Sequence, residues 1–75
     1  MKLNELKKGE KGKVLHISSD NKVLKRRMLD MGITNGVEVM VKKIAPFGDP
    51  ICLYLRGYEL CLRKDDLSGI EVKKL

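Results

Sequence analysis

Hydrophobic and polar residues alternate in several short segments of this chain, which is the pattern of half-buried β-strands. The clearest segment runs from Val37 to Lys42, where three valines share one face. Similar alternation occurs over 51–56 and 59–63, and shorter apolar runs occur over 14–17 and 70–73. The chain is therefore predicted to be mainly β, with about five strands. A small barrel is the favoured arrangement because closure removes the exposed edges of a flat sheet.

One segment between the first two main strands has helical periodicity instead. At 100° per residue, residues 22–31 place Leu24, Met28 and Met31 on one face. The segment 18–21 offers several N-cap side chains, and Gly32 can take the left-handed conformation that ends a helix. We therefore predict a short helix inserted across one opening of the barrel, with its apolar face toward the core. Single helical turns are expected near Leu3 and over 64–67.

Two side chains of the predicted helix do not follow its apolar and charged faces. Arg27 lies at the edge of the apolar arc, and Leu29 projects among Lys22, Lys25 and Arg26. In one interpretation Arg27 lies along apolar neighbours and a loop covers Leu29. In the other, both residues contact a partner.

The hairpin around Gly57 has two registers that keep its leucines on one face. A two-residue turn at Arg56-Gly57 pairs Cys52 with Cys61, whereas a turn at Gly57-Tyr58 pairs Tyr54 with Cys61. The sequence does not choose between them.

Size and charge narrow the class of protein. The 75 residues are enough for one domain, 1–75, and no apolar run approaches the roughly 20 residues of a membrane-spanning helix. The amino terminus lacks the apolar core of a secretory signal, so a cytoplasmic location is expected. The net charge is +6, and residues 1–31 carry nine of the 16 basic residues but only four of the 10 acidic ones. This surplus favours either an acidic partner or simply a soluble, lysine-rich surface.

The side chains give no support for catalysis or for a cofactor. Cys52 and Cys61 are too few for a disulfide framework and lack the spacing of a structural zinc site, so we expect both to be reduced and half-buried. His16 is the only histidine, and no compact set of soft metal ligands lies close together in the sequence. Asp65 and Asp66 are interpreted as serving the dipole of a helical turn. Neither a catalytic residue, a metal nor another cofactor is predicted, and an enzyme is not expected.

Several spaced motifs together resemble the FeoA family, the small cytosolic component of bacterial ferrous-iron uptake. They follow one another in the family's order across nearly the whole chain: residues 26–36, residues 45–50, Arg56-Gly57-Tyr58 and Leu62-Arg63-Lys64. The resemblance implies an SH3-like β-barrel that works beside a membrane ferrous-iron permease carrying a cytoplasmic GTPase domain. It further implies an accessory or regulatory partner, not the transporter. It leaves open whether iron is bound, whether the effect is activating, and whether the chain self-associates.

We predict a partner-binding site on the helix and on the turn over 45–50. Its candidate residues are Arg26, Arg27, Leu29, Asp30, Pro46, Phe47, Asp49 and Pro50. Prolines and Gly48 stiffen the turn, so Phe47 would be ordered before binding. In the competing structural interpretation, Phe47 caps the barrel core and Asp49 caps its own turn.

The alternative function is a small basic barrel that binds nucleic acid. It is motivated by the net charge and by the cluster over 22–27. Single-strand readers usually carry several stacking platforms, but Phe47, Tyr54 and Tyr58 are the only aromatic residues. Nucleic acid is therefore not the expected partner.

Overall fold

Five antiparallel strands form a single sheet in the computed structural model, which describes residues 1–18 and 20–75. The strands are β1 (Lys11–Ile17), β2 (Glu38–Ile44), β3 (Ile51–Leu55), β4 (Tyr58–Leu62) and β5 (Ile70–Lys74). Helix α1 (Lys22–Asp30) lies between β1 and β2, α2 (Lys64–Leu67) lies between β4 and β5, and a 3₁₀ turn (Leu3–Glu5) precedes β1. The sheet order is β4-β3-β2-β1-β5. The predicted mainly β fold with one inserted helix is confirmed.

The core draws on nearly every element of the chain. The inward alternation predicted for β2 is confirmed, since Val39 and Val41 are buried and Val37 packs against the core just before the strand begins. Among the described residues, fourteen form the buried cluster: Leu3, Leu6, Val14, Ile17, Met28, Ile33, Val39, Val41, Ile51, Leu53, Leu55, Leu67, Ile70 and Val72.

Helix α1 begins at Lys22, as the sequence predicts, and ends at Asp30, one residue before the predicted end. The Asn21 side chain accepts a hydrogen bond from Leu24 N at 3.0 Å, which caps the amino terminus. Ser19, another of the cap candidates, lies outside the described residues. Gly32 has φ +92° and follows Met31, the C-cap residue of the helix. Met28 is buried, and Leu24 and Met31 pack partly buried against the core, so the predicted apolar face is confirmed.

Strand β1 begins three residues earlier than the apolar run 14–17 suggests. Lys11 and Lys13 are exposed and Gly12 is buried, so exposed and buried residues alternate here as well. The hydropathy of these three residues does not indicate a strand. The backbone of this segment pairs with both β2 and β5, which holds it extended despite its polar composition.

The β3–β4 hairpin adopts the register with its turn at Arg56-Gly57. Leu55 pairs with Tyr58, and both turn residues have positive φ, +50° at Arg56 and +86° at Gly57. Cys52 therefore lies opposite Cys61, and the two form a disulfide. The expectation of two reduced cysteines is wrong for this structure, because the turn places the pair side by side although the two are nine positions apart along the chain.

Candidate docking surfaces

The exposed side of α1 combines apolar and basic side chains. Val23 is 71% exposed and Leu29 is 41% exposed, although both lie on a helix that packs against the core. Arg26 Nε lies 3.3 Å from Asp30 Oδ1, one turn further along the helix. Asp30 neutralises the charge of Arg26, so the positive charge of Arg27 remains on this side of the helix. We call it the helix surface, formed by Val23, Arg26, Arg27, Leu29 and Asp30.

Leu29 forms part of a shallow crevice beside the helix. The crevice is lined by His16, Ile17, Lys25, Leu29 and Asn35, which come from β1, α1 and the segment before β2. The interpretation that a loop covers Leu29 is wrong, because 41% of the residue remains exposed. An apolar side chain beside a lysine and a histidine offers both hydrophobic and polar contacts to a partner.

Arg56 ties the carboxyl-terminal end of α1 to the β3–β4 hairpin. Its Nε donates to Gly32 O at 3.2 Å, and its terminal nitrogen donates to Thr34 Oγ1 at 3.0 Å. Two bonds from one planar guanidinium restrict the approach of the helix end to the sheet. The helix surface therefore has a defined position relative to the hairpin.

The turn between β2 and β3 presents a second surface. Gly48 N donates to Ala45 O at 2.7 Å, and Ala45 N donates to Pro50 O at 3.1 Å, so the turn is closed by its own backbone. Phe47 is 99% exposed at its tip. The interpretation that Phe47 caps the core is therefore wrong. We call this the turn surface, formed by Ile44, Pro46, Phe47, Asp49 and Pro50.

Asp49 connects the turn surface to α2. Its Oδ1 accepts a hydrogen bond from Lys64 N at 2.9 Å, at the first residue of that helix. The bond satisfies one of the backbone donors that every helix leaves free at its amino terminus. Asp49 is thus a cap for another element, where the sequence suggested a cap for its own turn.

The two surfaces lie at opposite ends of the sheet. The helix surface follows β1 and is tied to the hairpin that ends β3, whereas the turn surface joins the end of β2 to the start of β3. β2 has seven residues, so its ends are roughly 20 Å apart at the usual strand rise. The structure brings the four helix candidates together, and separately the four turn candidates, but it does not merge them into one patch.

Sequence reasoning missed two apolar members of these surfaces. Val23 lies about 140° from the buried Met28 around the helix, so a helical projection of the sequence contains the signal. Ile44 is 37% exposed although it pairs with the buried Ile51. Strand alternation does not mark it, because the register shifts between Val41 and Lys43.

Titratable groups with shifted pKa values lie outside both surfaces. A hydrogen bond from Lys74 is the main cause that lowers the pKa of Glu10, and hydrogen bonds from the amino terminus and Lys2 lower that of Glu71. Within residues 1–18 and 20–75, one group of three metal-ligating side chains occurs, Cys52 with Glu59 and Cys61. The shifted carboxyl groups and this group of metal-ligating side chains thus belong to neither the helix surface nor the turn surface.

The fold and these exposed surfaces define a small SH3-like domain. The fold matches the crystal structure of Stenotrophomonas maltophilia FeoA, described as a procaryotic SH3 domain protein, with a TM-score of 0.85 at 24% identity over 97% of this chain and 89% of that one. The FeoA domain model matches residues 1–74, and the chain belongs to the FeoA family. Among the described residues, no helix has the length and apolar character required to cross a membrane.

Two further relatives share much of the sequence. An NMR structure of a FeoA-like protein from Clostridium acetobutylicum is 45% identical, with a TM-score of 0.91 over 100% of this chain and 86% of that one. A curated relative from Porphyromonas gingivalis is an Fe(2+) transport protein A/Fe(2+) transporter FeoB fusion protein, 32% identical over 73 residues. The match covers 97% of this chain but only 8% of the fusion protein.

Proposed function

We propose that this protein is a cytoplasmic accessory of ferrous-iron uptake that contacts a membrane ferrous-iron permease and its GTPase domain. The observation that carries the proposal is the fusion in Porphyromonas gingivalis, where a related domain and the transporter FeoB are one chain. Covalent linkage keeps two modules at high effective concentration, which favours a working contact between them. The protein acts by binding and is not an enzyme.

The helix surface is the first half of the proposed docking site. Arg26, Arg27 and nearby lysines attract an acidic region of the partner, and Leu29 and Val23 supply exposed apolar area. Charge complementarity of this kind speeds association and fixes orientation, while buried apolar side chains contribute more to affinity.

The turn surface is the second half. Phe47 projects from a turn closed by two backbone hydrogen bonds, so little backbone freedom is lost when a partner binds it. Because the surfaces stand at opposite ends of the sheet, we propose that they contact different parts of the permease. A contact that spans two parts of a larger protein can bias the arrangement of those parts.

Nucleic acid is the less favoured partner. Phe47 lies on the β2–β3 turn, whereas Tyr58 lies beside the hairpin turn at the other end of β3. Bases of one strand stack on neighbouring aromatic rings, and this separation breaks such a platform.

The proposal predicts that variants of either surface weaken binding to the permease. Arg26→Gln with Arg27→Gln removes two positive charges, and Phe47→Ala removes the exposed ring. We expect the dissociation constant for the GTPase domain or the complete permease to rise at least about tenfold for each variant. Melting temperatures should stay close to that of the parent protein, because these side chains are exposed.

Lys7→Gln with Lys8→Gln is the matched control, since it removes two exposed positive charges that belong to neither surface. It should change the dissociation constant less than about twofold. An equal loss from this control would show that only net charge matters, and unaltered binding by both test variants would remove the site assignment. Absence of binding by the parent protein to the complete permease would overturn the function.

A further inference from the structure

The outer face of the β3–β4 hairpin gathers three potential metal ligands. Cys52 and Cys61 are directly paired across the strands with a Cα–Cα distance of 3.9 Å, and Glu59 precedes Cys61 by two residues on the same face. The ligating atoms of the three side chains all lie within 4.8 Å of one another. Cys52 is buried, whereas Cys61 and Glu59 are exposed, so the group is reachable from solvent on one side.

We propose that the reduced pair Cys52 and Cys61, together with Glu59, binds a thiophilic divalent cation such as Zn²⁺ or Fe²⁺. The disulfide must first be opened by a dithiol, which gives two electrons and two protons and becomes a disulfide itself. Each cysteine then carries a thiol. Binding of the cation releases one proton from each thiol, so two thiolates and one carboxylate face the metal.

The ligand types and their spacing suit such an ion. Two sulfurs and one carboxylate oxygen are a ligand set that zinc and ferrous iron accept, and a fourth position stays open for water. With metal–sulfur distances of about 2.3 Å, a tetrahedral site holds its sulfurs roughly 3.8 Å apart. Neighbouring Cα atoms 3.9 Å apart allow this separation through side-chain rotation alone, without movement of the strands.

Two lysines offset the charge of the site. Lys42 Nζ lies 3.5 Å from Glu59 Oε2 and 5.8 Å from the centre of the Tyr54 ring, and Lys43 pairs with Cys52 across the strands. Two thiolates, one carboxylate and one divalent cation sum to a single negative charge, which one ammonium group is enough to balance. Lys42 keeps its ring contact when Glu59 turns to the metal.

The site is tested on the isolated protein with Co²⁺, which gives an intense sulfur-to-metal charge-transfer band when thiolates bind it. The protein is reduced with a dithiol, freed of reductant without oxygen, and titrated. We expect one equivalent to bind with the charge-transfer band, Zn²⁺ to displace it, and Mg²⁺ not to do so, since Mg²⁺ prefers oxygen ligands. The oxidised protein has the same fold and a closed disulfide, so it should show no band.

Variants separate this site from chance binding. Cys61→Ser should remove most of the band, and Glu59→Gln should weaken Co²⁺ binding about tenfold or more. Glu38→Gln, an exposed carboxylate on β2, is the matched control and should bind as the parent does. The proposal is overturned if the reduced protein gives no charge-transfer band, if Cys61→Ser binds as tightly as the parent, or if Mg²⁺ displaces Co²⁺. None of these results bears on binding of the permease, which the experiment does not contain.

Discussion

Glu71 anchors the amino terminus of the chain to β5. Its Oε1 accepts from the Met1 ammonium at 2.8 Å, and its Oε2 lies 3.2 Å from Lys2 Nζ. Met1 O also accepts a hydrogen bond from Val72 N at 2.8 Å. These contacts hold the start of the chain beside the sheet, next to the buried Leu3.

The carboxylate of Glu71 should contribute stability that depends on pH. Hydrogen bonds from the amino terminus and Lys2 lower its pKa from the ordinary value of 4.5. A lowered folded-state pKa means that the contribution is present above pH 4.5 and is lost as the pH falls through the lower, folded-state value. Glu71→Gln should therefore reduce the urea midpoint at neutral pH, and its difference from the parent should shrink at about pH 3.

Glu38→Gln supplies the comparison for this measurement. Glu38 is exposed on β2 and makes no ion pair among the described residues, so its replacement should leave the urea midpoint nearly unchanged at either pH. A difference between Glu71→Gln and the parent that grows as the solution is acidified would contradict the account.

At the scale of elements, α1 depends on its first turn for its position. Asn21 Oδ1 caps the helix, while Arg56 holds its other end against the hairpin. A helix of nine residues is too short to be stable alone, so capping and packing decide whether it forms. The position of the helix surface therefore depends on Asn21 and Arg56, which lie outside it.

Asn21→Ala should lower the free energy of unfolding by about 1 kcal/mol, because the amide of Leu24 loses its acceptor. Urea denaturation followed by far-ultraviolet circular dichroism measures the loss. Asn21→Asp is the control, since it keeps an oxygen at the cap and should remain close to the parent. Equal losses in the two variants would show that the cap oxygen is not what stabilises the helix.

Most elements follow from local patterns in the sequence. Helical periodicity with a cap and a terminal glycine predicts α1, and strict alternation predicts β2 and β3. The start of β1 is missed because Lys11 and Gly12 are held extended by neighbouring strands and not by their own preferences. The hairpin register stays open because Gly57 suits both turns, and the Cys52–Cys61 disulfide follows only once that register is known.

The candidate site is also predictable only in part, because its geometry depends on contacts between segments that are remote in the sequence. A resemblance between motifs selects the helix and turn residues, but burial and distance depend on contacts between remote segments. The exposure of Phe47 and the bond from Lys64 N to Asp49 are examples, since neither is set by neighbours in sequence. The separation of the two surfaces likewise appears only when the strands are assembled.

At the scale of the whole molecule, the two proposed docking surfaces lie at the two ends of the sheet. Its overall dimensions are 29 × 24 × 23 Å, so surfaces roughly 20 Å apart lie nearly across it. A small partner can contact only one of the two surfaces at a time, whereas a larger protein can contact both. This arrangement is what the proposed contact with two parts of a permease requires.

The most direct test is an amide-shift titration of isotope-labelled protein with the GTPase domain of the ferrous-iron permease from the same organism, repeated with the complete permease and with a mixed-sequence RNA. We expect saturable shifts over 22–31 with at least one permease sample, shifts over 46–50 with the complete permease, and none with RNA. Salt-sensitive shifts from RNA alone would contradict the account. So would saturable shifts that avoid both surfaces.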